Sequence, residues 1–123
     1  MKGKTPMTND HIRITLAAGT WVVRAGGAVL AESAQALELR EGSYPPVIYF
    51  PRGDVAMAFL EETGGTTTCP WKGQAKAFSI VTKSGRIDTA AWSYETPKPD
   101  VAAIAGHLAF YPGKVTLEQV QGG

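Results

Sequence analysis

The sequence predicts a single, mainly β domain of antiparallel strands with one or two short helices. Three observations predict it. Fourteen glycines and eight prolines in 123 residues fall between short apolar segments, which is how an all-β chain is punctuated. Most of those segments alternate apolar with polar residues or are rich in β-branched and aromatic side chains, the period of a half-buried strand. Three glycine-bearing pairs, Gly26-Gly27, Ser84-Gly85 and Pro112-Gly113, separate strand-like segments. They read as hairpin turns, because tight hairpins demand the positive φ that glycine adopts freely.

Taken in order, "HIRITL" places Ile12 and Ile14 on one face and Arg13 and Thr15 on the other. "TWVVRA" and "AVLAES" flank the first turn as a hairpin. "SAQALELREG" carries Leu37 and Leu39 at period two, which fits a strand better than a helix. "PPVIYFP" is apolar throughout and reads as a buried strand, held by its prolines to short length or to a sheet edge. "PRGD" reads as a turn around Pro51 and Gly53. "AKAFSIVTK" sends Phe78 and Ile80 to one face, and "RIDTAAWSY" follows across the second turn. "PKPDVAAIAGH" opens with prolines and an aspartate and runs through alanines to Gly106. That predicts a short helix from Asp100 to Ala105 with Asp100 at or near its cap. "HLAFY" and "KVTLEQV" flank the third turn.

A flexible leader at 1–10, one β-domain at 11–120 and a frayed end at 121–123 complete the organisation. The hydrophobic fraction of 44% is that of a globular chain, not a disordered one. A formal net charge of +1 and the lack of any basic block exclude an electrostatic nucleic-acid binder and a polybasic membrane anchor. The opening "MKGKTPMTND" has no apolar stretch of the signal-peptide kind. One cysteine cannot form an internal disulfide, and a reducing, cytoplasmic location is expected.

The stretch "TTTCPWKG", Thr66 to Gly73, holds that cysteine. Cys69 is nucleophilic only as a thiolate, which the nearby Lys72 would favour. With no His or Asp in the stretch, a small buried hydrophobe is the simpler reading. A closed zinc site needs four ligands, and one Cys with His11 and His107 supplies no such set; no metal or cofactor is expected. His107 sits where the predicted helix gives way to a strand, and a helix-terminal role suits it. Lys72 can hold an anion as a point charge. Gly73 would let backbone approach a ligand closely, although the surrounding residues do not match a phosphate-binding loop. In "AAWSYETPKP", Trp92 and Tyr94 share one strand face at spacing i, i+2. Two large rings with polar tips make either core or the wall of a small-ligand site, with Glu95 on its rim.

In this order, "PPVIYFPRGDV", "TTTCPWKG", "AAWSYETPKP" and "IAGHLAFYP" resemble the bacterial family DUF427, which also carries a nucleotidyltransferase label. The likeness runs from Ile12 to Leu117. Thr67, Cys69, Pro70, Lys72 and Gly73 match its Thr-x-Cys-Pro-x-Lys-Gly segment. Trp92, Tyr94 and Pro97 match the next, and Gly106, Phe110 and Tyr111 the last. Family members often carry His where this chain has Thr68 and Tyr where it has Trp71. The resemblance implies a β-tent, or Mss4-like, arrangement in which two antiparallel sheets meet at an angle over a pocket. Many proteins of that fold hold zinc on paired CxxC motifs, which this chain lacks. No paired aspartates for two metals and no glycine-rich phosphate loop support nucleotidyl transfer.

The expected function is binding of a small polar or aromatic ligand in a cleft built by Thr67, Cys69, Trp71, Lys72, Gly73, Trp92, Tyr94 and Glu95. On this view the two motifs, distant in sequence, meet in space. The alternative is an enzyme of thiol or transferase chemistry in which Cys69 reacts, Lys72 lowers its pKa and Tyr94 or His107 moves protons. The third class is a protein-interaction module using an exposed sheet edge.

Overall fold

Strand alternation carries through to burial in the folded chain. The structure, a computed structural model, describes residues 11–121; the expected leader at 1–10 and residues 122 and 123 lie outside the described residues. Among the described residues ten strands form: β1 (Ile12–Leu16), β2 (Thr20–Ala25), β3 (Ala28–Ser33), β4 (Leu37–Glu41), β5 (Val47–Tyr49), β6 (Leu60–Cys69), β7 (Gly73–Thr82), β8 (Gly85–Ser93), β9 (Ala109–Phe110) and β10 (Thr116–Gln121). They pair antiparallel throughout, in the orders β1-β4-β5, β10-β2-β3 and β6-β7-β8-β9. Gln121 still pairs with Thr20 at the far end of β10.

The sheets number three where two were expected. Among the described residues one backbone bridge, Phe50 with Leu108, joins the first and third; their amides and carbonyls exchange hydrogen bonds of 2.7 and 2.9 Å. The ladder stops there because Pro45, Pro46 and Pro51 flank β5 and Pro112 follows β9; proline donates no ladder bond. β5 is accordingly short and lies at the edge of its sheet.

Two cores share this seam. The first collects Val23 and Leu30 from the β2–β3 hairpin with Phe78, Ile80, Ala90 and Ala91 from β7 and β8. The second collects Leu39, Ala75, Tyr94, Val101 and Ile104. Along β5 and the bridge residue after it the side chains alternate between them: Ile48 and Phe50 enter the first core and Tyr49 the second. β9 and the bridge residue before it do the same, with Leu108 and Phe110 on one side and Ala109 on the other. A strand buried on both faces has no polar positions to alternate, which explains the unbroken apolar run around residues 47–50.

The turns depart from expectation in instructive ways. Gly26 and Gly27 both take positive φ, +58° and +77°, as a two-residue hairpin loop of the favoured twist requires. In the second hairpin the turn residues are Lys83 and Ser84, since Gly85 already pairs with Thr82. The hydroxyl of Ser84 donates to Gly26 O at 2.9 Å and links the two hairpin tips. Pro112-Gly113 is not a hairpin. β9 pairs with β8 and β10 pairs with β2, so this turn hands the chain from one sheet to another, and Gly113 takes no positive φ.

The helix expected at 100–105 is a 3-10 segment, Pro99–Ile104, broken at Val101. Lys98 holds the cap position without a side-chain bond and Asp100 lies in the first turn. Roughly two turns are too few to sustain an α-helix on their own, and the burial of Val101 and Ile104 in the second core sets the path instead. Two further 3-10 turns, Arg52–Asp54 and Met57–Phe59, complete the described helical residues. Among the described residues no helix is long and apolar enough to cross a membrane.

Candidate functional site

The stretch "TTTCPWKG" forms the end of β6, a three-residue loop and the start of β7. Cys69 pairs with Gly73 across Pro70, Trp71 and Lys72. Gly73 has φ +112°, where a side chain would be strained. A Cβ there would lie 3.6 Å from both Pro97 Cα and Lys98 N. The close approach permitted by this glycine is therefore to the chain's own 96–98 segment, whose Lys98 amide donates to Lys72 O at 2.9 Å. That contact pins the loop and turns the Lys72 side chain inward, leaving the residue 9% exposed.

Inside, Lys72 Nζ donates to Glu41 Oε1 at 2.8 Å. Glu41 closes β4, opposite Ile12 of β1, and its other oxygen lies 3.7 Å from His11 Nε2. Burial opposes the Lys72 ammonium, but the hydrogen bond and charge of Glu41 outweigh it and hold the pKa above the usual lysine value. Lys72 is thus held as the ammonium against the Glu41 carboxylate.

The Lys72–Glu41 pair borders a cleft of about 250 Å³. Leu39, Val47 and Tyr49 line one bank, Thr67, Trp92, Tyr94 and Tyr111 the other, and Tyr44 and Pro45 the rim. Trp92 Nε1 donates to Tyr49 Oη at 3.2 Å. The Tyr49 and Trp92 rings meet edge-on at 6.2 Å between centroids, and Tyr111 lies tilted on Trp92 at 4.5 Å. Tyr44, on the β4–β5 loop, is 71% exposed. Burial raises the pKa of Tyr49 far above the ordinary phenol range. Burial raises Tyr94 too, against the opposing charge of Lys72. Both hydroxyls stay protonated.

Of the eight residues expected at a ligand site, Thr67, Lys72, Trp92 and Tyr94 line this one cleft. The other four do not line it. Cys69 is half-buried against the second core. Trp71 packs edge-on against His11 at 4.9 Å. Gly73 packs on the 96–98 segment. Glu95 pairs with Arg52, which also donates to Gly106 O and Ser93 Oγ at 3.0 and 3.4 Å. His107 stands apart from the cleft, with Nδ1 3.1 Å from Ala105 O. Among the described residues no cluster of three or more His, Cys, Asp or Glu is arranged to hold a metal ion.

Sequence reasoning missed Glu41, Tyr44, Tyr49 and Tyr111 as site residues, along with the apolar Leu39, Pro45 and Val47. Tyr49 was hidden in an apolar run. Its polar tip, unusual in a strand buried on both faces, was the available sign. Glu41 sits at a strand end like any solvated carboxylate, and nothing local marks it.

A family model described as "Domain of unknown function (DUF427)" matches residues 13–121. No curated protein matches the chain.

Proposed function

The chain belongs to the DUF427 family, to which no activity is attached, and from its cleft we propose that it is a small-molecule binding protein. The ligand enters between the β4–β5 bank and the Trp92–Tyr111 bank, with the Lys72–Glu41 pair at its side. One observation carries this reading. A buried lysine paired with a half-buried glutamate lies beside two buried phenols, Tyr49 and Tyr94, and the half-buried Trp92, around open space. Folding alone gains little from such an arrangement, since an apolar replacement of a buried pair is often as stable. Concave, mostly aromatic walls with a few convergent polar groups are the usual make-up of small-ligand sites.

Thiol chemistry at Cys69 has less support, because Cys69 is not among the cleft-lining residues. Interaction through a sheet edge draws on β6, a ten-residue edge strand, almost wholly exposed. Its threonines, glutamates and the irregularity between Glu62 and Thr66 are features that discourage edge pairing.

Native mass spectrometry of the full chain, after exposure to metabolite extracts, tests the proposal. A stoichiometric small-molecule adduct is expected, lost in Trp92→Ala. No adduct from any extract, or one that persists in Trp92→Ala, would count against it.

A further inference from the structure

The polar atoms of the cleft are unbalanced. Tyr49, Tyr94 and Lys72 are 1%, 6% and 9% exposed. Tyr49 Oη accepts from Trp92, so its own O–H is left to donate. Tyr94 has no side-chain hydrogen bond among the described residues. Lys72 directs one N–H to Glu41 and an ammonium has three. Because burial keeps both phenols protonated, they are donors throughout the physiological range. Set against these donors, the cleft offers the Glu41 carboxylate, which accepts from Lys72, and the hydroxyl oxygens of Thr67, Tyr44 and Tyr111; among the described residues none of them accepts from Tyr49 or Tyr94. Buried donors are rarely left without acceptors, and leaving them so is costly. The cleft is open, so water can accept from these donors, and a ligand oxygen that takes the water's place keeps the bonds while its ring covers the aromatic walls.

We infer that the cleft takes a small flat molecule presenting acceptor oxygens, a carboxylate or carbonyl, to Tyr49, Tyr94 and Lys72, with its ring against Trp92 and Tyr111. This rests on the small-molecule reading above and names the ligand's chemistry. A cationic ligand would suit the aromatic rings but would meet the Lys72 ammonium and compete with it for Glu41.

Four probes on one aromatic frame test the inference: benzoate, benzamide, benzylamine and benzyltrimethylammonium. Each is titrated into the ¹⁵N-labelled full chain, following the Trp92 indole N–H, assigned with Trp92→Phe. Benzoate or benzamide should move that resonance; the two cations should not at equal concentration. A response to benzoate alone marks a carboxylate ligand, and a response to benzamide marks a carbonyl. Tyr94→Phe should weaken the responding oxygen probe about tenfold. The same variant should raise the melting temperature of the ligand-free protein, because a buried hydroxyl without a protein acceptor among the described residues is gone. Tyr49→Phe should lower the melting temperature, since Trp92 loses its acceptor. Cations that bind at Trp92 while the oxygen probes do not would overturn the inference and leave small-molecule binding standing. Silence from all four probes also overturns it, and the independent mass-spectrometric result then decides whether the broader reading survives. Unchanged probe affinity or a lowered melting temperature in Tyr94→Phe would remove Tyr94 as a donor and overturn the assignment.

Discussion

Lys72 is ionised although nearly dry, and the reason is Glu41 at 2.8 Å. In such pairs the energetic asymmetry matters more than the bond: removing one partner strands the other charge. Lys72→Ala should therefore destabilise the fold by about 2 kcal/mol, less than a fully buried pair would cost because Glu41 keeps some exposure. Lys72→Met combined with Glu41→Gln should recover much of that loss. Urea unfolding of the single and double variants checks both statements; a double variant as unstable as Lys72→Ala would show that the bond itself carries the energy. Cys69, packed on the second core, should react slowly with iodoacetamide in the native protein at neutral pH and quickly in urea. Rapid native labelling that slows in Lys72→Ala would instead assign it thiolate chemistry. At this scale the site was half legible. Lys72 and the Trp92–Tyr94 face stand out because their residue types exceed what a turn or an ordinary strand needs. Glu41 did not, because its partner is 31 residues away and local pattern carries no information about pairing at that distance.

The loop between β6 and β7 works as one piece. Gly73 supplies the φ of +112°, Lys98 holds the carbonyl of Lys72, and the lysine side chain is thereby aimed into the cleft. Gly73→Ala should cost about 1–2 kcal/mol from backbone strain alone, and should weaken any cleft ligand as well, because the loop that positions Lys72 shifts. Gly113→Ala is the matched control: no positive φ and open space around a Cβ, so its effect on a thermal melt should stay within about 0.5 kcal/mol. Equal losses in the two variants would refute the role given to the Gly73 backbone. The contrast also shows what a sequence carries about elements. Strands at period two are local, and "HIRITL", "ALELRE" and "AKAFSIVT" all fold where their alternation puts them. Partner choice is not local. Pro112-Gly113 has the residues of a hairpin turn, yet β9 and β10 belong to different sheets. The number of sheets likewise depends on where prolines interrupt a ladder between segments distant in the chain.

Across the whole molecule, β5 and β9 form the wall between two cores, and Tyr49, with Leu39 and Tyr94, joins the second core to the cleft. Phe50, its neighbour on the opposite face, is fully buried and meets Phe110 edge-on at 6.0 Å. Truncating such a ring costs about 3–5 kcal/mol, so Phe50→Ala should leave the domain close to unfolding on a urea titration. The phenols and the lysine of the second core add a dependence on pH. Tyr49 and Tyr94 ionise less readily folded than unfolded, where the ordinary value is 10.0. Above that pH the unfolded chain sheds protons that the folded chain retains, and stability falls as pH rises. Lys72 acts in the same sense: its ammonium is held above the ordinary 10.5, so its contribution is complete below that value and lost as pH climbs through the folded pKa. The three groups together predict a urea midpoint free of their influence from pH 7 to about 9, then declining beyond about pH 10. Tyr49→Phe should start lower, having lost the acceptor for Trp92, and decline less steeply, having lost the most shifted of the three groups. A decline of equal slope in that variant would mean that alkaline unfolding is driven elsewhere in the molecule and that the Tyr49 hydroxyl is not as dry as its position in the wall requires.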